Sequence, residues 1–262
     1  MTEYFRLTSP KSDRLWAVTC AGSDDQEVSL CPSSDLTRGD VHWDGQRLRT
    51  NLIVSLKHNR RDELVIWGWF DECLVHKTVL AEFKALGLSG YRLKPAKVRF
   101  LDGRVSTDYS QLVVVGWAGL APEESGIHLV KRCPSCLCAE YSGLANPEKL
   151  VDFLRWTGDD FFVVWPLPRY LLITARVADF LRARKINSFS LQKPDTAWSH
   201  YGGFTVGRLS SSMPDDIALK YGEPLGIENR AARWTRLSEL QAPGQSEKEK
   251  GEDAFPERRW QR

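Results

Sequence analysis

The residues best placed to do chemistry lie in the middle of the chain, in the run Cys133-Pro134-Ser135-Cys136. A Cys-x-x-Cys turn directs two thiolates at one point, which is the geometry of a tetrahedral zinc ion, a thiol-disulfide couple or an iron–sulfur cluster. One such turn supplies only two of the four ligands of a structural zinc site. The remaining ligands must therefore come from elsewhere in the chain.

An earlier turn repeats the start of this motif. Cys31 is followed by Pro32 and Ser33, but Ser34 occupies the position of a second cysteine. Zinc prefers sulfur and nitrogen to a serine hydroxyl, so this turn resembles a zinc half-site that has lost one ligand. The candidates for the two ligands missing from the central turn are Cys31, Cys138, Cys20 and His128.

The cysteines have three interpretations: a metal site, unligated buried thiols, or a redox pair. A redox pair normally opens a helix after a strand, whereas the residues after Cys136 carry few helix signals. All three interpretations remain open at the level of sequence. The metal-ligand set that we predict is Cys31, Cys133, Cys136 and Cys138, holding one structural zinc ion if metal is bound and no cofactor otherwise.

The apolar pattern predicts the elements that position these cysteines. Helical spacing indicates helices over residues 79–86 and 176–184. Short apolar runs over 4–7 and 15–20 predict a hairpin, and residues 21–50, which are rich in Gly, Asp, Ser and Arg, predict an irregular loop carrying Cys31. Further helices are predicted to start at Asn146-Pro147 and to cover 217–221 and 231–240.

These elements predict an α+β fold with mainly antiparallel sheets and a few helices. Each of the two clear helices is followed by a short turn and a strand, so two related helix–strand units flank the central cysteine turn. We predict an N-terminal α+β unit over residues 1–125 and a C-terminal α+β unit over 126–242. Residues 243–262 are rich in charge and poor in apolar side chains, which is typical of a flexible tail.

Composition narrows the class of function. The 36 basic and 34 acidic residues leave a formal charge of +2, which argues against nucleic acid as a partner. No apolar run is long enough for a membrane span. The first residues lack the apolar core of a secretory signal, and six cysteines without an export signal favour free thiols or metal ligands in a reducing cytoplasm.

Motifs for catalysis are missing from the sequence. There is no Gly-x-Ser-x-Gly elbow, no His-Glu-x-x-His pair and no phosphate-binding glycine loop followed by lysine. The five histidines are scattered along the chain. We therefore predict that the protein is not an enzyme. The alternative is a zinc- or thiol-dependent enzyme or regulator centred on Cys133 and Cys136.

The order of these features resembles the myxobacterial double-CXXCG proteins, which include immunity proteins for swarming-inhibition toxins. The resemblance runs from Tyr4 to Pro194. It depends on an N-terminal Tyr-Phe-Arg-Leu strand, two cysteine turns and a helix and strand associated with each turn. Both turns lack the glycine of the family motif, and only Cys31, Cys133 and Cys136 correspond to its cysteines by position.

The resemblance implies an immunity protein that binds a cognate antibacterial toxin domain and neutralises it by stoichiometric occlusion. Such a protein needs no catalytic residues of its own. We expect the toxin to contact exposed residues within 35–49 or 198–208, because loops held on a sheet often carry recognition.

Overall fold

The structure, a computed structural model, describes residues 3–10, 18–19, 25–33, 43–48, 51–57, 59, 64–67, 72–186, 188–195, 202–231 and 233–240. Strands and helices alternate irregularly along the chain. The elements in chain order are β1 (Tyr4–Thr8), β2 (Val18–Thr19), β3 (Gln26–Leu30), β4 (Trp43–Leu48), β5 (Leu52–Ser55), β6 (Val65–Trp67), β7 (Cys73–His76), α1 (Lys77–Ala85), β8 (Tyr91–Arg99), β9 (Val105–Val114), β10 (Gly116–Leu120), β11 (Leu129–Arg132), β12 (Ala139–Tyr141), β13 (Phe161–Trp165), β14 (Leu172–Thr174), α2 (Ala175–Ala183), β15 (Ser190–Gln192), β16 (Phe204–Val206), α3 (Asp215–Gly222), β17 (Trp234–Arg236) and α4 (Leu237–Leu240).

The described strands form four sheets. Two are large, with strand orders β10-β13-β14-β1-β15 and β2-β5-β8-β9-β7-β6, and two have three strands each, in the orders β11-β12-β16 and β17-β3-β4. Most neighbours are antiparallel, whereas β10 with β13 and β5 with β8 are parallel. The predicted α+β class with mainly antiparallel sheets is confirmed.

The two helices predicted with the clearest periodicity are confirmed as α1 and α2. Each follows a strand without a gap and leads to another strand, β8 or β15. Their apolar faces meet in one core, where the ring of Phe83 lies 5.4 Å from both Phe161 and Phe180. The two related helix–strand units therefore pack against each other as well as flanking the cysteine turn.

The predicted hairpin between residues 4–7 and 15–20 is wrong. Strand β1 pairs with β14 and β15, and β2 pairs with β5. Tyr4, Phe5 and Leu7 are all buried, so the strand has apolar side chains on both faces. Burial of both faces requires other elements packed above and below the strand. An isolated two-stranded hairpin has no such cover.

Three other local predictions are corrected. The irregular loop predicted for residues 21–50 contains two strands, β3 and β4, which pair with each other. Their polar side chains also make contacts, such as Arg47 Nε to Glu27 Oε2 at 3.0 Å. The helix expected at Asn146 is a single 3₁₀ turn, Pro147–Lys149, because the Asn146 amide donates to Glu124 O instead of capping a helix. Residues 231–240 form β17 and the four-residue α4 instead of one helix.

The predicted boundary at residue 125 remains a prediction. Pairing of β1 with β14 and β15 joins strands from the two predicted units in one sheet. The predicted tail, 243–262, lies outside the described residues. In the part of the chain that the structure describes, no helix has the length and apolar character needed to cross a membrane.

The core shared by α1 and α2 is tested by Phe83→Ala. Phe83 is 2% exposed and contacts both helix–strand units, so its truncation should lower the free energy of unfolding by about 3–5 kcal/mol. Urea denaturation measures the change. Leu154→Ala is the control, because Leu154 is 97% exposed and its truncation should change stability by at most about 0.5 kcal/mol. Equal effects of the two substitutions would contradict the assigned core.

Candidate metal centre

Three of the predicted ligands converge on one point. Cys31 directly follows β3, whereas Cys133 and Cys136 lie in the turn that joins β11 to β12. The Sγ atoms of these three residues all lie within 4.8 Å of one another. The turn is closed by a hydrogen bond from Cys133 N to Cys138 O at 2.9 Å.

The spacing of the sulfurs suits a metal. The Sγ atoms of Cys31 and Cys133 are 3.7 Å apart, and both residues are free cysteines. Two sulfurs bound at about 2.3 Å to one tetrahedral zinc ion lie about 3.8 Å from each other, whereas a disulfide holds them at about 2.05 Å. The donor set and its spacing therefore fit a thiolate-bound metal ion.

The backbone supplies hydrogen bonds to all three sulfurs. In each case the donor is the amide two positions further along the chain: Ser33 to Cys31, Ser135 to Cys133 and Cys138 to Cys136, each at 3.4 Å. The hydroxyls of Ser33 and Ser135 also contact each other. Amide donors stabilise thiolates and orient them as ligands. The two Cys-Pro-Ser turns thus have the same local geometry and face each other.

The thiols of Cys133, Cys136 and Cys138, all in the turn between β11 and β12, differ in pKa. The amide of Ser135 lowers the pKa of Cys133, because its hydrogen bond favours the thiolate. Burial raises the pKa of Cys136, and burial together with the Asp44 carboxylate raises the pKa of Cys138 to about 11. A bound metal ion would deprotonate its thiol ligands regardless of these differences. The thiolate form is thus favoured at Cys133 and disfavoured at Cys136 and Cys138.

A buried ion network lies directly behind the turn. Arg208 is 6% exposed and forms ion pairs with Asp44 and Glu228, which are 1% and 3% exposed. Both carboxylates also accept backbone hydrogen bonds: Asp44 Oδ1 from Leu137 N at 3.2 Å, and Glu228 Oε2 from Ser210 N at 2.8 Å. The network therefore fixes the cysteine turn to β4 and to the segment after β16.

The backbones of β4 and of the segment after β16 are also in close contact. The amide of Arg208 donates to Asp44 O at 2.6 Å. A Cβ atom on Gly207 would lie 1.7 Å from that same oxygen. Only glycine therefore permits the approach of the two segments at this position.

The other predicted candidates are placed differently. Cys138 is buried, but its sulfur does not lie within 4.8 Å of all three clustered sulfurs. Its amide and carbonyl form hydrogen bonds with Cys136 Sγ and Cys133 N, and its role as a ligand remains a prediction. His128 is exposed, and its amide and ring contact Ser142 and Gly126. Cys20 lies outside the described residues.

Sequence reasoning missed Asp44, Arg208 and Glu228. Each is an ordinary charged residue in a polar stretch, and their partners are distant in sequence. The one signal nearby is Gly207, which precedes Arg208, but its close approach to another backbone segment cannot be read from the sequence alone.

A cleft lies beside the cysteine cluster. It is lined by Cys31, Cys136, Asn229, Arg208 and Arg233, among others.

The ion network is tested by Arg208→Ala. The substitution leaves the Asp44 and Glu228 carboxylates buried without their cation, so the free energy of unfolding should fall by about 3–5 kcal/mol. Arg92→Ala is the matched control, because Arg92 forms an exposed pair with Asp216, and its urea midpoint should stay near that of the wild type. A stable Arg208→Ala variant would show that the network does not hold the turn.

Comparison with known proteins adds no assignment to this geometry. No protein-family model matches the chain, and no curated protein matches it.

Proposed function

We propose that this protein is an immunity protein of the myxobacterial double-CXXCG type, which binds a cognate antibacterial toxin and blocks it by occlusion. The observation that supports the proposal is the meeting of the two cysteine turns. Cys31 and Cys133 are 102 residues apart in sequence, and their sulfurs are 3.7 Å apart in space. The resemblance implies such a pairing, because its two cysteine motifs are expected to share one site.

In this proposal the cysteine cluster is a structural clip that holds one zinc ion. Cys31 extends from the sheet β17-β3-β4, and Cys133 and Cys136 extend from the sheet β11-β12-β16. A metal bound by all three would join the two small sheets at their cysteine-bearing ends. Binding of metal to the folded chain alone stabilises the fold, so the clip would keep the sheets in a fixed arrangement.

The two small sheets also carry the described parts of the segments that we expect to contact the toxin. These parts are residues 43–48, which form β4, and residues 202–208, which include β16. The Arg208 to Asp44 contacts hold the two segments side by side. We propose that this paired region forms one recognition surface, with Gln46 and Thr205 among its exposed residues.

The proposed site of action is the cytoplasm. All five described cysteines are free, including Cys31 and Cys133, whose sulfurs are close neighbours. Free thiols at this spacing are compatible with a reducing compartment or with bound metal. An immunity protein in the cytoplasm would meet a toxin delivered by a neighbouring cell.

The second candidate function is a zinc- or thiol-dependent enzyme or regulator centred on Cys133 and Cys136. The cleft beside the cluster favours it, because Cys31 and Cys136 line the cleft and a metal with an open position can activate a ligand. Cys133→Ser and Cys136→Ser discriminate between the two. If protection persists in folded variants, the cysteines have only a structural role.

The immunity proposal is tested by co-expression with the protein encoded beside this gene, which we expect to be the toxin. Wild-type protein should restore growth of the toxin-producing cells and co-purify with the toxin in equal amounts. The double variant Gln46→Arg, Thr205→Arg should weaken the complex at least about tenfold, because two buried guanidinium groups lose their hydration at the interface.

Thr107→Arg serves as the matched control, since Thr107 is an exposed strand residue of β9 outside the proposed surface. This variant should protect as well as the wild type does. Continued killing by the toxin, together with the absence of a complex with wild-type protein, would overturn the proposed function.

A further inference from the structure

The sulfurs of Cys31 and Cys133 are in direct contact. They lie 3.7 Å apart and form a hydrogen bond in which either sulfur can be the donor. Both cysteines are free thiols. The pair therefore meets the first condition for a disulfide, which requires the sulfurs to move from this contact distance to about 2.05 Å.

The two thiols of this pair differ in exposure. Cys133 is half-buried beside the exposed Pro134 and Ser135, whereas Cys31 is 4% exposed. A small oxidant from solvent would therefore react first at Cys133, because the reactivity of a thiol towards oxidants depends on access. The shielded sulfur of Cys31 is already in contact with Cys133. An accessible thiol beside a second one that can resolve its oxidised form is the arrangement of a redox-sensing pair.

Cys136 is the other thiol of the cluster, but it belongs to the same turn as Cys133. Its sulfur accepts from the amide of Cys138 at 3.4 Å, and the amide of Cys133 donates to the carbonyl of Cys138 at 2.9 Å. A bond between Cys133 and Cys136 would have to form inside this hydrogen-bonded turn and change the geometry that these contacts hold. Cys31 follows β3 on a separate segment, so a bond from Cys31 to Cys133 requires no closure inside the turn.

We propose that Cys31 and Cys133 form an oxidation site, at which a hydroperoxide converts the two thiols of the metal-free protein into a disulfide between the two small sheets. In the first step the Cys133 sulfur attacks the terminal oxygen of the hydroperoxide ROOH. The O–O bond breaks, and the products are a sulfenic acid on Cys133 and the alcohol ROH. The sulfur of Cys31 then attacks the Cys133 sulfur, and the sulfenic oxygen leaves as water.

This reaction needs no reactant besides the hydroperoxide. The two sulfurs lose two electrons in total, which the two peroxide oxygens take up, and the two thiol protons end on the alcohol and the water. The resulting bond would join the sheet β17-β3-β4 to the sheet β11-β12-β16 at the cysteines. In a reducing compartment cellular thiols would reverse the bond, so the site would respond to the oxidant only while the oxidant is present.

Peptide mapping of the full chain tests the proposal. The reduced, metal-free protein is treated with an equimolar amount of hydrogen peroxide, alkylated and digested. The number of free thiols should fall by two from the six cysteines of the sequence, and fragmentation of the linked peptides should place the disulfide between Cys31 and Cys133. Dithiothreitol should restore all the thiols.

Three variants define the roles of the thiols. Cys136→Ser should form the same disulfide at the wild-type rate, as should the matched control Cys73→Ala, because Cys73 is buried in the core outside the cluster. Cys31→Ser should keep the sulfenic acid on Cys133, which dimedone traps as a stable adduct. A wild-type disulfide between Cys133 and Cys136, loss of the disulfide in folded Cys136→Ser, or survival of all the wild-type thiols would overturn the inference. The wild-type map decides the matter by itself where a variant does not fold.

Zinc separates this inference from the metal clip of the proposed function. Thiolates that bind zinc are not free to react, so zinc-loaded protein should keep its thiols over the time in which metal-free protein loses two. If the reduced protein binds no zinc but forms the disulfide between Cys31 and Cys133, the clip is wrong and the oxidation site is confirmed. If zinc binds and the metal-free protein forms no such disulfide, the oxidation site is wrong and the clip is retained.

Discussion

The buried ion network of Arg208, Asp44 and Glu228 is the interaction on which the candidate site depends. A guanidinium buried to this extent must be paired and hydrogen-bonded, because an isolated charge is costly in a protein interior. The pairing requires β4 and the segment after β16 to lie side by side. It also fixes the position of Leu137, whose amide donates to Asp44. The turn that presents Cys133 and Cys136 is thereby held from behind.

Beside this network, two turns that share the order Cys-Pro-Ser meet, with the sulfurs of Cys31 and Cys133 3.7 Å apart. The shared order Cys-Pro-Ser gives each turn an amide that points at its own cysteine sulfur. Because Cys31 and Cys133 are distant in sequence, a metal between them would close a long loop and join two sheets. A metal clip of this kind would account for cysteines that have no recognisable catalytic partner among the described residues. It would also give the proposed recognition surface on β4 and β16 a rigid base.

The features predicted correctly from the sequence are those that depend on residues close together in the chain. Helices α1 and α2 follow from apolar spacing within nine or so residues, and the cysteine turn follows from its own spacing. Strand β1 was assigned the wrong partner because pairing is decided by distant strands that bury its two faces. Strands β3 and β4 were missed because their largely polar sequences show no apolar alternation, although they pair through the backbone and through contacts such as Arg47 with Glu27. The ion network was missed because its members are distant in the chain and no local pattern links Asp44 to Arg208.

The most direct test of the central claim is the metal content of protein purified without chelator. Elemental analysis of the wild type should give close to one zinc ion per chain. Cys133→Ser should lose most of that zinc, whereas Cys73→Ala should keep it, because Cys73 is buried in the core and is not in the cluster. A ratio near zero in folded wild-type protein, even after zinc has been added, would contradict the account.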